Sequence, residues 1–535
     1  MSLPQVTLTP PLCPASRDLR QQLHQRLDEI IGCCQHQHAH SSFLVFEKAL
    51  LCLLASLGRL LVQLFLHERQ KQLDLTPWLQ RYRIADDKAC RTLKTACGPV
   101  RYRRVYLTPR RGKAPGIHPL DIALGLTRDA FSPLLIGWFC RLATRLSFRL
   151  ASELGGMFLP QKPPPPSAIE EWVLGLGRPA YEWHQSGPLP EKDGEVLVIE
   201  CDGKAIPTAT EQELRKRRGP RQKHGKGCRC QRHRGRQRRK RRGPKRRRRR
   251  GDKSKNGRSA TLVAMYTLRR GEDGRLHGPC NKKVYSTFSS RKTALEWARE
   301  QATRRGFGPK TDKTVQILVD GEKCLEQNLR ALFPRAILTL DIRHAQERLW
   351  LVGRLFHAEG STALASWVEP LTKLLYQGKV AALLARLRQA QQQSHGPGSK
   401  AKRRTIDKAI AYLEKRQGLM DYGLWRQQDL VLASGVVEGA ARYVIGERLD
   451  QSGMRWKVQR AEALLQLRCI EVNGDWEAFF SWAQKQRQEE LKKGQAVQIR
   501  SKKPTQLPET LAASEKRRQR REKEAKGDTP AEVAA

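Results

Sequence analysis

Two apolar runs in this chain each close on an Asp-Gly pair. Val196, Leu197, Val198 and Ile199 lead through Glu200 and Cys201 to Asp202-Gly203, and Val315, Ile317, Leu318 and Val319 lead to Asp320-Gly321. Unalternating β-branched runs suit strands buried on both faces, and a carboxylate delivered there is costly unless a cation meets it. A metal ion would do so. A third acid, Glu438, sits in the first turn of the helical stretch SGVVEGAARYVIGERLDQSGMRW. Two strand-end aspartates and a helical glutamate supply the hard oxygen ligands that two-metal phosphoryl transfer needs, with two magnesium (or manganese) ions as the expected cofactor.

Close competitors surround each of these acids. Glu200 shares a strand face with Asp202, Glu322 follows Asp320 by two residues, and Asp341 ends a further apolar run just before His344. Asp202 and Asp320 are favoured because each is followed by Gly, which lets backbone and substrate approach closely. Asp341 is expected to orient His344 or to act behind the ligands, as an auxiliary pair. A first-turn Glu also favours the helix dipole with no further role.

The elements that must position these acids follow in order. Strands are expected at 195–206, 259–270, near KKVYSTF, at TVQILVD and at AILTLD, with a helix SRKTALEWAREQATRRGF capped by Ser290 between the third and fourth. Three strands, a helix, a strand, a helix and a strand is the order of an RNase H-like sheet, whose first and fourth strands are neighbours. That order would set Asp202 beside Asp320. The fold expected is therefore α/β: an RNase H-like catalytic core at 191–357, an all-helical insertion at 358–430 and a closing Glu helix at 431–485. Before it, residues 1–190 read as a mainly helical region with a small β element at the Gly98-Pro99 hairpin, suited to recognising DNA ends. After it, the charged stretch 486–535 reads as frayed or disordered.

Charge identifies the partner. The 535 residues carry 101 Lys plus Arg against 53 Asp plus Glu, a net +48. Such an excess points to nucleic acid rather than to a membrane, with double-stranded DNA as the form that the resemblance given below implies. Half of it is concentrated in the insertion 212–258. From Arg215 to Arg258 there are 25 Lys plus Arg and one acid, Asp252, so 25 − 1 = +24. A block like this cannot pack and reads as a clamp on the phosphodiester backbone, with Arg246, Arg247, Arg248, Arg249 and Arg250 as its densest part and Arg455 and Trp456 as further DNA contacts. The Arg-rich stretch 101–111 fits phosphate contact as well as a solvated hairpin.

Other readings carry less. Zinc at Cys33, Cys34, His36, His38 and His40, or at His224, Cys228, Cys230 and His233, matches no usual structural-zinc spacing. The 13 scattered Cys argue for a reducing compartment. No basic stretch precedes an apolar one at the N-terminus, so no signal peptide is expected. Phe43 to Leu66 is strongly apolar but carries Glu47, Lys48, Arg59 and Gln63, and is expected to be a buried core helix rather than a membrane span.

Taken together, CDG, VDG, DIRH and SGVVEGAARYVIGERLDQSGMRW resemble the bacterial insertion-sequence transposases of the ISKra type, within the DDE superfamily. The similarity covers roughly residues 40–485, and its most specific part is the block from Glu438 to Gly453-Met454-Arg455-Trp456. The resemblance implies that Asp202, Asp320 and Glu438 are the metal-binding catalytic triad, that Asp341 and His344 match a short motif after the second Asp, and that the protein cleaves and transfers strands at the ends of an insertion sequence. It implies a homo-oligomer on DNA in the bacterial cytoplasm, associated with the nucleoid. Two departures stand out: the paired cysteines of the family after the hairpin are replaced here by TPRRGKAPGIHPLD, and the Arg-rich insertion is longer. An RNase H-like nuclease without strand transfer, or a catalytically silent DNA-binding derivative, are the alternatives.

Overall fold

The computed structural model describes residues 16–37, 41–112, 114–209, 257–321, 323–394, 399–451, 453–493 and 499–502. Arg246 to Arg250, the His224–His233 cluster and all but the last two residues of the Arg-rich insertion lie outside the described residues, as does Glu322. The chain divides into two compact units, one of residues 1–184 with 462–506 and one of residues 185–461 with 507–535.

The second unit is built on a five-stranded mixed sheet. Its strands are β3 (Val196–Pro207), β4 (Gly257–Arg270), β5 (Leu276–Thr287), β6 (Thr314–Val319) and β7 (Ile337–Leu340). In space the order is β5-β4-β3-β6-β7. The pairs β3–β4 and β4–β5 are antiparallel, and β3–β6 and β6–β7 are parallel. The first and fourth strands of the sheet are thus neighbours. Val196 to Ile199 and Val315 to Val319 are buried without a break, which is why neither run alternates: helices cover both faces. Tyr285 of β5 stacks on Trp297 of the helix Arg291–Arg304 at 4.6 Å between ring centres, covering one face. Ser290 caps that helix by accepting from Thr293 N–H. On the other face, Glu200 meets the helix Gly435–Ala440, which carries Glu438.

Between β7 and Glu438 the described chain is helical, with Thr362–Tyr376, Val380–Gln392, Ser399–Glu414 and Tyr422–Gln427 as the helices of 358–430. Leu375, Leu383, Leu387, Ile406 and Leu413 are buried and join the same core as the sheet.

The first unit pairs an antiparallel hairpin, β1 (Tyr82–Thr95) and β2 (Gly98–Pro109), with helices. Gly98 has φ +116°, a left-handed turn conformation that favours glycine. Three expectations need correction here. The helix Phe43–Lys71 is no buried core helix: Phe43 is 72% and Phe65 54% exposed, while Arg59 and Gln63 are buried. By length and composition it is apolar enough to cross a membrane. The chain from Glu462 onward does not close the sheet unit but belongs with the first one. The charged stretch from residue 486 is ordered through Lys492, as part of the helix Trp476–Lys492. Most of its charges lie outward, but Arg487 is buried with Trp476, Phe479, Ala483 and Leu491 in one stripe at helical spacing. Ile499 is then buried and donates its N–H to Asp129 at 2.9 Å.

Candidate active site

Strand register brings the two Asp-Gly pairs level. In the parallel β3–β6 pairing Val196 faces Thr314 and Glu200 faces Leu318. Asp202 and Asp320 each lie two residues further along, at the same end of adjacent strands that run about 4.8 Å apart. The two aspartates differ in setting. β3 spans Val196–Pro207, close to the expected 195–206, so Asp202 is not at the strand's end but inside its antiparallel pairing with β4, where it faces Leu262. Asp202 is half-buried, and its Oδ1 accepts from Gly203 N–H at 2.6 Å. Asp320 is exposed, in the turn that leaves β6.

That turn is held by the helical insertion. Tyr412 Oη donates to the Asp320 carbonyl at 3.0 Å, and Arg416 Nε donates to the Gly321 carbonyl at 2.8 Å. The guanidinium groups of Arg348 and Arg416 lie 4.5 and 4.0 Å from the centre of the Tyr412 ring. Gly321 has φ +81°, which favours glycine, and a Cβ there would lie 2.4 Å from Arg416 Nε, so a larger residue would also displace the Arg416 side chain.

Two other acids fasten Glu438. Glu200 is fully buried; it accepts from Tyr266 Oη at 2.6 Å and from Val437 N–H at 2.7 Å. Val437 is the third residue of the Glu438 helix, so a carboxylate on β3 takes up an N–H that a helix start would otherwise leave open. Burial pushes the Glu200 carboxyl up to about 7, helped by the charges of Asp341 and Glu438 and opposed by its two hydrogen bonds. Asp341, also fully buried, caps the helix Ile342–Gly353 by accepting from Arg343 N–H at 2.7 Å; its other oxygen accepts from Ser434 N–H at 2.9 Å and from Ser434 Oγ. The expected Asp341–His344 side-chain pair is not formed. His344 bonds through its backbone N–H to the Asp341 carbonyl, and its ring lies 3.4 Å from Glu347. The Asp341 carboxylate is already spent on the entry to the Glu438 helix.

Glu438 itself is exposed, with Oε2 3.3 Å from Arg343 Nη1. Among the described residues no group of three or more His, Cys, Asp or Glu stands ready to hold a metal ion. The donor chemistry of Asp202, Asp320 and Glu438, exposed or half-exposed carboxylates, nevertheless suits a hard cation. Glu438 is in contact with Arg343. With both side chains open to solvent, such a pair contributes about 0–1 kcal/mol and yields readily.

Trp456 is committed elsewhere. Its Nε1 donates to the Leu449 carbonyl at 3.0 Å, its N–H to the Pro207 carbonyl at 3.1 Å, and its carbonyl accepts from Ala209 N–H at 2.9 Å. It ties the far end of β3, with the Arg448 guanidinium 5.2 Å from its ring centre, and the next helix starts at Val458. Arg455 is half-buried beside it. Sequence reasoning weighed Glu200 only as a rival ligand and passed over Tyr266, Ser434, Tyr412 and Arg416. The signal for Glu200 was present, since an acid inside an unbroken apolar run needs a partner.

No family model matches the chain. No curated protein matches it either. A solved structure, the Drosophila P element transposase strand transfer complex, matches over 66% of this chain and 94% of that chain at 10% identity and a TM-score of 0.27. An overlap that low transfers nothing from that complex to this chain.

Proposed function

We propose that this protein is a DDE-type transposase with an RNase H-like core, cleaving DNA at the ends of an insertion sequence and joining the freed 3′ ends to target DNA. One observation carries the reading: the register that sets Asp202 and Asp320 level on adjacent strands, one of which also anchors the Glu438 helix through Glu200. The net charge of +48 supports a DNA partner. Asp202, Asp320 and Glu438 would hold two magnesium ions, which supply activation of a water or 3′ hydroxyl and stabilisation of the leaving oxygen. The work of the chain is placement. Short Asp side chains on a sheet keep their oxygens within a narrow range, Tyr412 and Arg416 fix the turn after Asp320, and Glu200 and Asp341 fix the approach of Glu438. A homo-oligomer on DNA follows from the need to act on two element ends.

The test uses the purified full chain, a duplex carrying the terminal repeat, and magnesium. Alanine at Asp202, Asp320 or Glu438 is expected to abolish strand cleavage while DNA binding persists. Robust cleavage by Glu438→Ala overturns the triad. Cleavage by the unaltered protein with no joined product would make it a nuclease instead.

A further inference from the structure

The first unit holds a cavity of about 470 Å³ behind β2, walled in part by residues of GIHPLD. Three arginines line it, Arg91, Arg104 and Arg128, against a single carboxylate, Asp121. Arg91 donates to Asp121 at 2.9 Å and to the Thr127 and Asp129 carbonyls, so its hydrogen bonds are committed. Arg104 also pairs with Asp121, whose other oxygen accepts from Tyr102 Oη at 2.8 Å. One carboxylate thus serves two guanidinium groups, and Arg104 Nε is buried with no hydrogen-bond partner. Burial with Arg91 nearby lowers the Arg104 guanidinium to about 10. Arg128, exposed at the rim, has no ion pair among the described residues.

The sole His of the cavity reports the same imbalance. His118 lies with its ring centre 4.9 Å from that of Tyr106, tilted by 39°, and directs Nδ1 at the Val105 carbonyl, 3.2 Å away. Burial first, and then the charges of Arg104, Arg91 and Arg128, hold it down to about 4. It is neutral near pH 7 and adds nothing to the positive excess. Counting Arg91, Arg104 and Arg128 against Asp121, the lining carries 3 − 1 = +2. A partly desolvated cationic excess costs free energy that an anion would offset.

From this missing counter-charge we propose that the cavity is a phosphate-binding site that takes a phosphate group of a DNA strand, with Arg104 and Arg128 as its donors. That the phosphate belongs to DNA rests on the transposase reading; that the site takes phosphate does not. A planar guanidinium suits a phosphate through paired N–H···O bonds. The volume admits a phosphate together with part of its nucleoside.

The experiment uses the full-length chain without metal, so that no cleavage enters, with His labelled for NMR and His118 assigned through His118→Gln. Inorganic phosphate is expected to raise the pKa of His118, because an anion beside the ring favours its protonated form. A His118 resonance that titrates identically with and without phosphate overturns the site. Arg128→Gln, an exposed change with no contact to lose, should weaken phosphate binding about tenfold by calorimetry; equal affinity overturns the role of Arg128. A short duplex should move His118 at lower concentration than deoxyadenosine monophosphate does, and Arg128→Gln should flatten the salt slope of duplex binding by about 0.9. Tighter binding of the mononucleotide overturns the strand as the source while leaving the phosphate site standing. Loss of cleavage chemistry elsewhere touches neither result.

Discussion

In the sheet unit the buried carboxylates Glu200 and Asp341 each have both oxygens satisfied; in the N-terminal unit the charges around the cavity are guanidinium groups that share one carboxylate. Glu200 meets Tyr266 and Val437, and Asp341 meets Arg343 and Ser434, so both acids act as fasteners within the fold. Arg91 and Arg104 compete for Asp121, while Arg128 has no ion pair among the described residues. Complete satisfaction marks charge used for holding. Around the cavity the deficit leaves cationic charge that an anion would offset.

The sharpest way to break this contrast is at Glu200. Glu200→Ala leaves Val437 N–H and Tyr266 O–H buried without an acceptor, and is expected to lower the unfolding free energy of the sheet unit by about 3 kcal/mol and to abolish cleavage. Glu200→Gln keeps an acceptor and should recover most of the stability. Urea unfolding that does not distinguish Glu200→Ala from the unaltered chain would remove the fastener role.

The units should also respond to pH in opposite directions. A carboxyl raised from 4.5 to about 7 by folding stays protonated in the folded chain after the unfolded chain has lost its proton. Its contribution is full below about pH 4.5 and is lost as pH rises to about 7, on the order of 3 kcal/mol. For His118, lowered from 6.5 to about 4, the unfolded chain binds the proton first. Its contribution is full above about pH 6.5 and is lost as pH falls towards 4. Glu200→Gln should flatten the alkaline-going loss, and His118→Gln the acid-going one, in unfolding curves taken across that window. If both substitutions changed the same limb, one of the two sign assignments would be wrong.

Arg343→Ala should do least. The exposed pair with Glu438 contributes at most about 1 kcal/mol, so stability should hardly change. Freed of Arg343, Glu438 should need less magnesium for half-maximal cleavage, by a factor no larger than about five. A higher requirement would mean that Arg343 presents Glu438 rather than restrains it.

Much of the sheet unit could be read directly from residue order. Both Asp-Gly runs stood out because burial on two faces erases alternation, and Ser290 announced a helix start that it does cap. The N-terminal unit was harder to read. The apolar stretch from Phe43 looked like core because composition reports how apolar a helix is and not how much of it is covered. The charged stretch after residue 486 looked disordered because its buried stripe is sparse, one residue in three or four. Helical periodicity with few apolar positions is easily outweighed by charge in a count.

The sequence by itself determined the local quantities: which runs are strands, which turns need glycine, where charge is concentrated, and that three carboxylates of the right type exist. These depend on residues close along the chain. Only the tertiary structure decided that Asp202 and Asp320 stand level, that Glu200 and Asp341 hold the Glu438 helix, that Tyr412 and Arg416 secure the turn after Asp320, and that Arg91, Arg104 and Arg128 surround one acid. Each of those contacts joins residues far apart in the chain, and their pairing follows from strand register and from which buried polar groups must find partners. Neither constraint is visible until the chain is closed into a core.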